Sequence, residues 1–274
     1  MWLALGILGA LIGSYLNVLG TRFSLEEGFK RTGSGRSRCP RCNKNLRWYE
    51  LVPLVSFFIQ GGRCRKCHKR ISFQYPLVEL LGALVFILIP LKLGWGPLTA
   101  LWILAFLVFI LIAIIDLRLG IIPDKLNLVV VGLGLAVAAL TYFEGDAFSS
   151  FLGGFSLLFQ LGEGNFWIER FTGVAFGFLF FGGIYFLSKG KALGLGDVKF
   201  ASALGLLLGW PDVALALILA FLVGALIALP LMIRGRVEMK DALPFGPLIV
   251  AGVTLVFFFG YHILNGYFQL FSFY

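Results

Sequence analysis

The chain has 274 residues, 59% hydrophobic and 16% aromatic, with only 14% charged and a mean hydropathy of +0.93. A soluble domain carries about 25% charged residues, so this composition excludes a soluble globular protein and points to an all-α polytopic membrane protein. The net charge of +9 invites a nucleic-acid reading, which the placement of the charges along the chain removes.

A helix needs roughly 20 apolar residues to cross the hydrocarbon. About eight stretches read as spans: 2–20, 77–93, 98–115, 127–143, 170–188, 197–210, 212–233 and 246–264, of which the sixth is short. The first has no basic stretch before it and no small-x-small site after it, so it is expected to remain as a helix rather than be removed as a signal peptide.

Residues 21–76 interrupt the apolar pattern, with 13 Lys/Arg and all four cysteines. Gly33-Ser34-Gly35 reads as a flexible approach to the cysteines. Cys39-Pro-Arg-Cys42 and Cys64-Arg-Lys-Cys67 are two CxxC pairs, 21 residues apart. Each pair can turn two thiolates onto one ion, and two such pairs form a tetrahedral four-thiolate zinc site. A closed site of this kind has no open coordination position, so it is expected to staple a small loop rather than do chemistry. His68 is expected at the surface, not as a ligand.

A second interruption, 144–169, carries Glu144, Asp146, Glu163 and Glu169 and no Lys or Arg. Its middle, 147–161, is apolar but too short to span, and reads as an interfacial helix or re-entrant piece on the outside. If the spans alternate and the N-terminus is outside, 21 of the 23 Lys/Arg lie inside, and only Lys92 and Arg170 lie outside. This satisfies the positive-inside rule. The basic balance therefore reports topology first and contact with anionic membrane lipid second. No nucleic-acid partner is expected.

Three acids sit at the inner ends of later spans. Asp116 ends the third span in "AIIDLRLGIIPDKLN", Asp124 follows Pro123, and Asp197 stands in "LGLGDVKF". Ionisable groups at such positions are functional candidates, because a charge near hydrocarbon is costly. Gly120 and Pro123 break the helix, so Asp116 and Asp124 should differ in depth. Asp116 and Asp197 can meet near the inner face and share a proton around one water, one as base and one as acid. Gly194 and Gly196 let the backbone approach closely there. The residues alone leave a second reading open, in which Asp197 pairs with Lys199 and Asp116 with Arg118. Asp212, in the outside turn "GWPD", reads as a cap, and Glu79 as a further intramembrane acid.

These motifs together resemble the type IV prepilin peptidases, which cleave prepilin leaders and N-methylate the product. The likeness runs through "GSYLNVLGTRF" (13–23), the cysteine region to "YPLVELLGA" (39–83), "DLRLGIIPDKLN" (116–127) and "GLGDVKFASALGLLLG" (194–209). The resemblance implies catalytic Asp116 and Asp197, with Asp124, Gly194, Gly196 and Lys199 supporting. It implies three regions: a first transmembrane helix (1–20), a cytoplasmic four-cysteine domain tied to methyl transfer (21–76), and a transmembrane aspartic peptidase bundle (77–274). It also implies prepilin and pseudopilin substrates, S-adenosylmethionine as methyl donor, and a multi-pass protein of the bacterial inner membrane. A basic leader makes Glu50 and Glu79 candidates for binding it, and Gly62 and Arg63 become candidates for methylation. The 144–169 loop is longer than the family pattern, and "GKAL" (190–193) lacks the acidic residue that often stands there. No Gly-rich Rossmann fingerprint is present, so methylation rests on the resemblance alone. Two other readings compete: a peptidase without methylation, and a non-enzymatic proton-carrying transporter or scaffold. Transporters often carry inverted repeats, and no convincing internal repeat is evident.

Overall fold

The computed structural model describes residues 1–26, 28–29, 37–39, 41–144, 151, 165–235 and 244–270. Most of the expected outside loop 144–169 therefore lies outside the described residues. Among the described residues the regular structure is helical: α1 (Trp2–Arg22), α2 (Val55–Ile59), α3 (Gln74–Leu93), α4 (Pro97–Leu119), α5 (Asp124–Glu144), α6 (Phe166–Leu187), α7 (Leu195–Leu208), α8 (Asp212–Ile233) and α9 (Gly246–Leu270). All but α2 and α7 are long and apolar enough to cross a membrane, which gives seven candidate spans among the described residues. Their outward faces are apolar, with Phe186, Leu187 and Ile233 each more than four-fifths exposed. That surface is stable against lipid and not against water.

Local chemistry sets the helix ends. α4 opens on Pro97, where a missing N–H costs nothing. It closes at Gly120, whose φ of +65° lets its N–H return to the Asp116 carbonyl at 2.8 Å. Pro123 then starts α5: its carbonyl accepts the Leu126 and Asn127 N–H groups. Asn165 caps α6 by accepting the Trp167 N–H at 3.1 Å.

The chain divides into two compact units, Met1–Ile115 and Asp116–Tyr274. In the first, α1 lies directly on α3. A methyl group on Gly9 or Gly82 would collide with the other's backbone, and one on Gly13 would come within 2.6 Å of the Val78 carbonyl. Small residues of this kind let helices pack backbone to backbone in lipid, where the hydrophobic effect between helices is absent.

In the second unit, α7 is the centre. Fourteen residues at 1.5 Å each make a helix of about 21 Å, short of the roughly 30 Å hydrocarbon thickness. The sixth expected span is thus a buried helix. Phe200, Ala201, Ala203, Leu204, Leu207 and Leu208 are all buried. α6 reaches it through Gly173 and Gly177, which meet Gly205 and Ala201 backbone to backbone, and α5 through Gly134 against Leu206 and Leu207. α8 and α9 close on each other where Gly252 meets Ala216.

Candidate active site and metal centre

Asp116 sits one turn before the end of α4 and is buried, 4% exposed. Its Oδ2 accepts the N–H of Gly246 at 2.8 Å, the first residue of α9. Asp197 lies in the first turn of α7. Its Oδ2 turns back to the Gly194 N–H at 3.1 Å, which closes the helix start. Its Oδ1 is buried and has no partner. Gly196 packs on Ile122, with 3.2 Å between that side chain and any Cβ placed on the glycine. Both acids thus stand in the second unit, each held at Oδ2 by one backbone N–H.

The cation-pair alternative finds a different geometry. Lys199 donates to Asp124 Oδ1 at 2.8 Å, not to Asp197. Residues two apart on a helix point to different sides, which separates Lys199 from Asp197 and Arg118 from Asp116. Among the described residues, neither Asp116 nor Asp197 is in an ion pair. The Asp124–Lys199 pair is exposed on both sides, so it contributes little to stability.

Two further residues belong to this site and are not among the sequence candidates. Gly246 holds Asp116, and a Cβ there would sit 2.8 Å from the Asp116 Oδ2. Asn127, 5% exposed, reaches the Gly196 carbonyl with its Nδ2 at 3.5 Å and keeps a buried, unpartnered Oδ1. The signals were present but faint: a Gly-Pro at the head of the last span, and a lone Asn in the first turn of α5.

At the opposite end of α7, Arg170 is buried and donates to the carbonyls of Leu206 and Leu207. Asp212, expected only as a cap, is 1% exposed and accepts the Phe151 N–H at 3.0 Å.

In the first unit the four cysteines converge. All four Sγ atoms lie within 4.8 Å of one another, with Cys39–Cys67 at 4.0 Å and Cys42–Cys64 at 3.9 Å. A tetrahedron with metal–sulfur bonds of ~2.3 Å has sulfur–sulfur edges of about 3.8 Å, so the donor set fits a single metal ion. Backbone N–H groups of Cys67 and Lys66 lower Cys64 to about 6. Cys42 is pushed up to about 11: the Lys44 N–H favours its thiolate, but burial and the neighbouring sulfurs outweigh it. A cation at the centre removes that conflict.

The two knuckles are copies of one another. The Cys39 N–H goes to the Lys44 carbonyl and the Asn43 N–H to the Cys39 carbonyl; Cys64, Lys69 and His68 repeat the pattern. Asn43 and His68 both take left-handed backbone, with φ of 55° and 52°. The sequence carries this repeat as "SRCPRCNKNL" against "GRCRKCHKRI", too short to stand out. His68 is exposed, so its place in the fold is the turn.

Glu50 is buried and engaged: Lys44 Nζ lies at 3.1 Å and the Arg47 N–H at 2.8 Å. Together they hold its carboxyl below the usual range, the Arg47 N–H contributing most. Glu79, on α3, is buried too and accepts the Leu54 N–H at 2.7 Å. Gly62 and Arg63 stand in the second knuckle: Gly62 bonds Phe57 and Ile71, and Arg63 bridges Arg70.

Residues 7–93 match the Bacterial Peptidase A24 N-terminal domain, and residues 102–229 match the Type IV leader peptidase family. A Bacillus subtilis (strain 168) protein named prepilin leader peptidase/N-methyltransferase is 30% identical, over 96% of each chain. The chain belongs to the type IV leader peptidase family. It is a multi-pass membrane enzyme of that family. Relatives of the same name in Aeromonas salmonicida (strain A449) and Burkholderia pseudomallei (strain 1026b) are 36% and 33% identical. The first match covers 79% of this chain and 69% of the relative, and the second 95% and 87%. The metal centre falls in the N-terminal domain match, and Asp116, Asp124 and Asp197 in the leader peptidase match. No solved structure matches the chain.

Proposed function

We propose that this chain cleaves the leader peptides of type IV prepilins and pseudopilins at the inner face of the bacterial cytoplasmic membrane, and then N-methylates the new N-terminal residue. The N-terminus of the chain faces outside, as the distribution of Lys and Arg supports. Asp116 and Asp197 carry the cleavage. The supporting observation is how they are mounted: each carboxyl is held through Oδ2 by one backbone N–H, and among the described residues neither is paired with a cation.

One carboxylate takes a proton from water as the water oxygen bonds the scissile carbonyl carbon. The other carboxyl donates its proton to the departing nitrogen as the C–N bond breaks. No covalent intermediate forms, and the exchanged protons restore the pair. Gly246 and Gly194 fix one oxygen of each carboxyl, which leaves the other for water and substrate.

Zinc occupies the four-cysteine centre, held by Cys39, Cys42, Cys64 and Cys67, and it is structural. S-adenosylmethionine, when bound, supplies the methyl group. The 21–76 region serves that second activity, and the bundle of the later helices serves the first.

The test is purified protein incubated with a prepilin and methyl-labelled S-adenosylmethionine, with cleavage and label scored separately. Cleavage after the leader and label on the mature N-terminus are expected. Intact prepilin refutes the peptidase, and cleaved but unlabelled product refutes the methyltransferase.

A further inference from the structure

The two cysteine knuckles differ at one paired position. In each, a short antiparallel bridge sets two residues directly opposite: Arg38 with Asn45 in the first, and Arg63 with Arg70 in the second. Residues paired in this way hold their side chains side by side, with Cβ atoms about 5 Å apart. In the first knuckle the pair is complementary, since Arg38 Nε donates to Asn45 Oδ1 at 2.9 Å. In the second, two guanidinium groups stand together. Both arginines are exposed, and among the described residues no carboxylate pairs with either. Like charges directly opposite repel. A phosphate relieves that repulsion and matches the planar donors of both groups.

The second knuckle lies between α2 and α3, and both present apolar side chains beside it. Phe58 and Ile59 at the end of α2, and Phe73 at the head of α3, are each about seven-tenths exposed, and Val55 is exposed too. The rings of Phe57 and Phe73 stand 6.3 Å apart, which ties α2 to the head of α3. Leu54 fixes the height a second way. Its N–H donates to Glu79 Oε2 at 2.7 Å, and Glu79 lies five residues, about 7 Å, inside α3. Leu54 itself sits at φ 60° and ψ −55°, and Val55 N–H closes onto the Pro53 carbonyl. This γ-turn, rare for a non-glycine residue, starts α2 at that level. The five-residue helix is thus held beside the first turns of a candidate span. Arg70 precedes Phe73 by three residues, which the chain covers in about 11 Å or less.

We infer that α2 and the second knuckle form a docking face for the surrounding bilayer. Arg63 and Arg70 hold the phosphate of an anionic phospholipid, while Phe58, Ile59 and Phe73 enter the boundary between headgroups and acyl chains. Height and charge select this occupant. An apolar patch level with the end of a span lies where headgroups meet hydrocarbon, so lipid reaches it before any soluble partner does. Cations beside a span draw anionic lipid, and a paired guanidinium site adds a defined place for its phosphate. The contact seats the four-cysteine region on the membrane through one knuckle only. The other knuckle has its arginine already satisfied by Asn45. The cysteine cluster joins the two, so a lipid contact at one fixes the position of both.

The test uses purified full-length protein and two measurements. In nanodiscs of phosphatidylcholine mixed with phosphatidylglycerol, Phe58→Cys carries a nitroxide whose collisions with oxygen and with a water-soluble nickel chelate report its depth. Protein without the added cysteine controls for labelling of the native thiols. The label is expected to meet oxygen and to be shielded from nickel. In detergent, native mass spectrometry should show phosphatidylglycerol retained in preference to phosphatidylcholine. Arg63→Gln combined with Arg70→Gln should weaken that retention about tenfold or more, with metal content and melting temperature confirming the fold. Arg38→Gln in the first knuckle should leave it unchanged. A label open to nickel overturns the docking face, whether or not the arginine variant folds. Equal retention of the two lipids, or unchanged retention in the folded arginine variant, overturns it as well. A label shielded only after a prepilin is added makes this a substrate surface, and displacement of the lipid by an equal concentration of inorganic phosphate makes it a soluble-anion site; either result overturns the inference.

Discussion

Replacing Asp116 separates its chemical role from its structural one. Asp116→Asn keeps an oxygen that can accept the buried Gly246 N–H, but it cannot exchange a proton with water. Loss of a general acid or base costs roughly 10²–10⁴-fold in rate, about 2.7–5.5 kcal/mol in the barrier. Asp116→Ala also strands the Gly246 N–H, a further destabilisation of about 1–3 kcal/mol in fold stability. The two variants should therefore be equally inactive in a prepilin cleavage assay, while the alanine protein melts lower. Asp197→Asn should match Asp116→Asn, since an amide still caps α7 through the Gly194 N–H. The double Asn variant should be no worse than either single one, because the two groups act as a unit. Asp124→Asn should cost far less, as its exposed pair with Lys199 is its main contact. Normal cleavage by Asp197→Asn would refute the reasoning, as would additive losses in the double variant.

Metal analysis should find one zinc per chain, and Cys42→Ser should lose it and weaken methyl transfer more than cleavage; two disulfides and no zinc would overturn both ligands and compartment. Gly205→Ala forces a methyl group into the Gly173 backbone, and should lower the melting temperature by an amount corresponding to about 1–3 kcal/mol. Glu50 is held below its ordinary value of 4.5, so its stabilisation is full above that value and fades as pH falls through the lower, folded one. Melting curves of wild type and Glu50→Gln should accordingly converge in acid, and a gap that widens there would reverse the sign. Reporter fusions after residues 70, 120 and 190 should read cytoplasmic and one after 95 external, and opposite sides at 120 and 190 would make the aspartate pair impossible.

Much of this arrangement is legible in the sequence, for identifiable reasons. Twenty apolar residues in a row have few uses other than spanning a bilayer, so the seven long helices stand out. Four cysteines in two CxxC pairs constrain themselves through metal geometry, so their convergence follows from spacing. What is hidden depends on contacts between distant residues. Gly246 meets Asp116 across 130 positions, and no local pattern announces it. Lys199 stands two residues from Asp197 yet bonds Asp124, 75 residues away, because helix geometry turns i and i+2 apart. The γ-turn at Leu54 looks ordinary in sequence, since neither glycine nor asparagine marks it.

α7 shows why composition alone misreads this class of protein. Its residues are as apolar as those of a lipid-facing span, but the cause is burial of most of them against neighbouring helices, α5 and α6 among them. A span must be long, while a helix that only has to carry a carboxylate into a bundle can be short. At its start Gly194 and Asp197 form the end proposed for catalysis, and at its finish Arg170 takes the last carbonyls. Between them, Gly205 and Ala201 lock the helix to α6 at backbone distance. A side chain so mounted has little freedom to drift, which is what two carboxyls sharing one water require. The glycines that make the helix a poor one in isolation therefore position the aspartate.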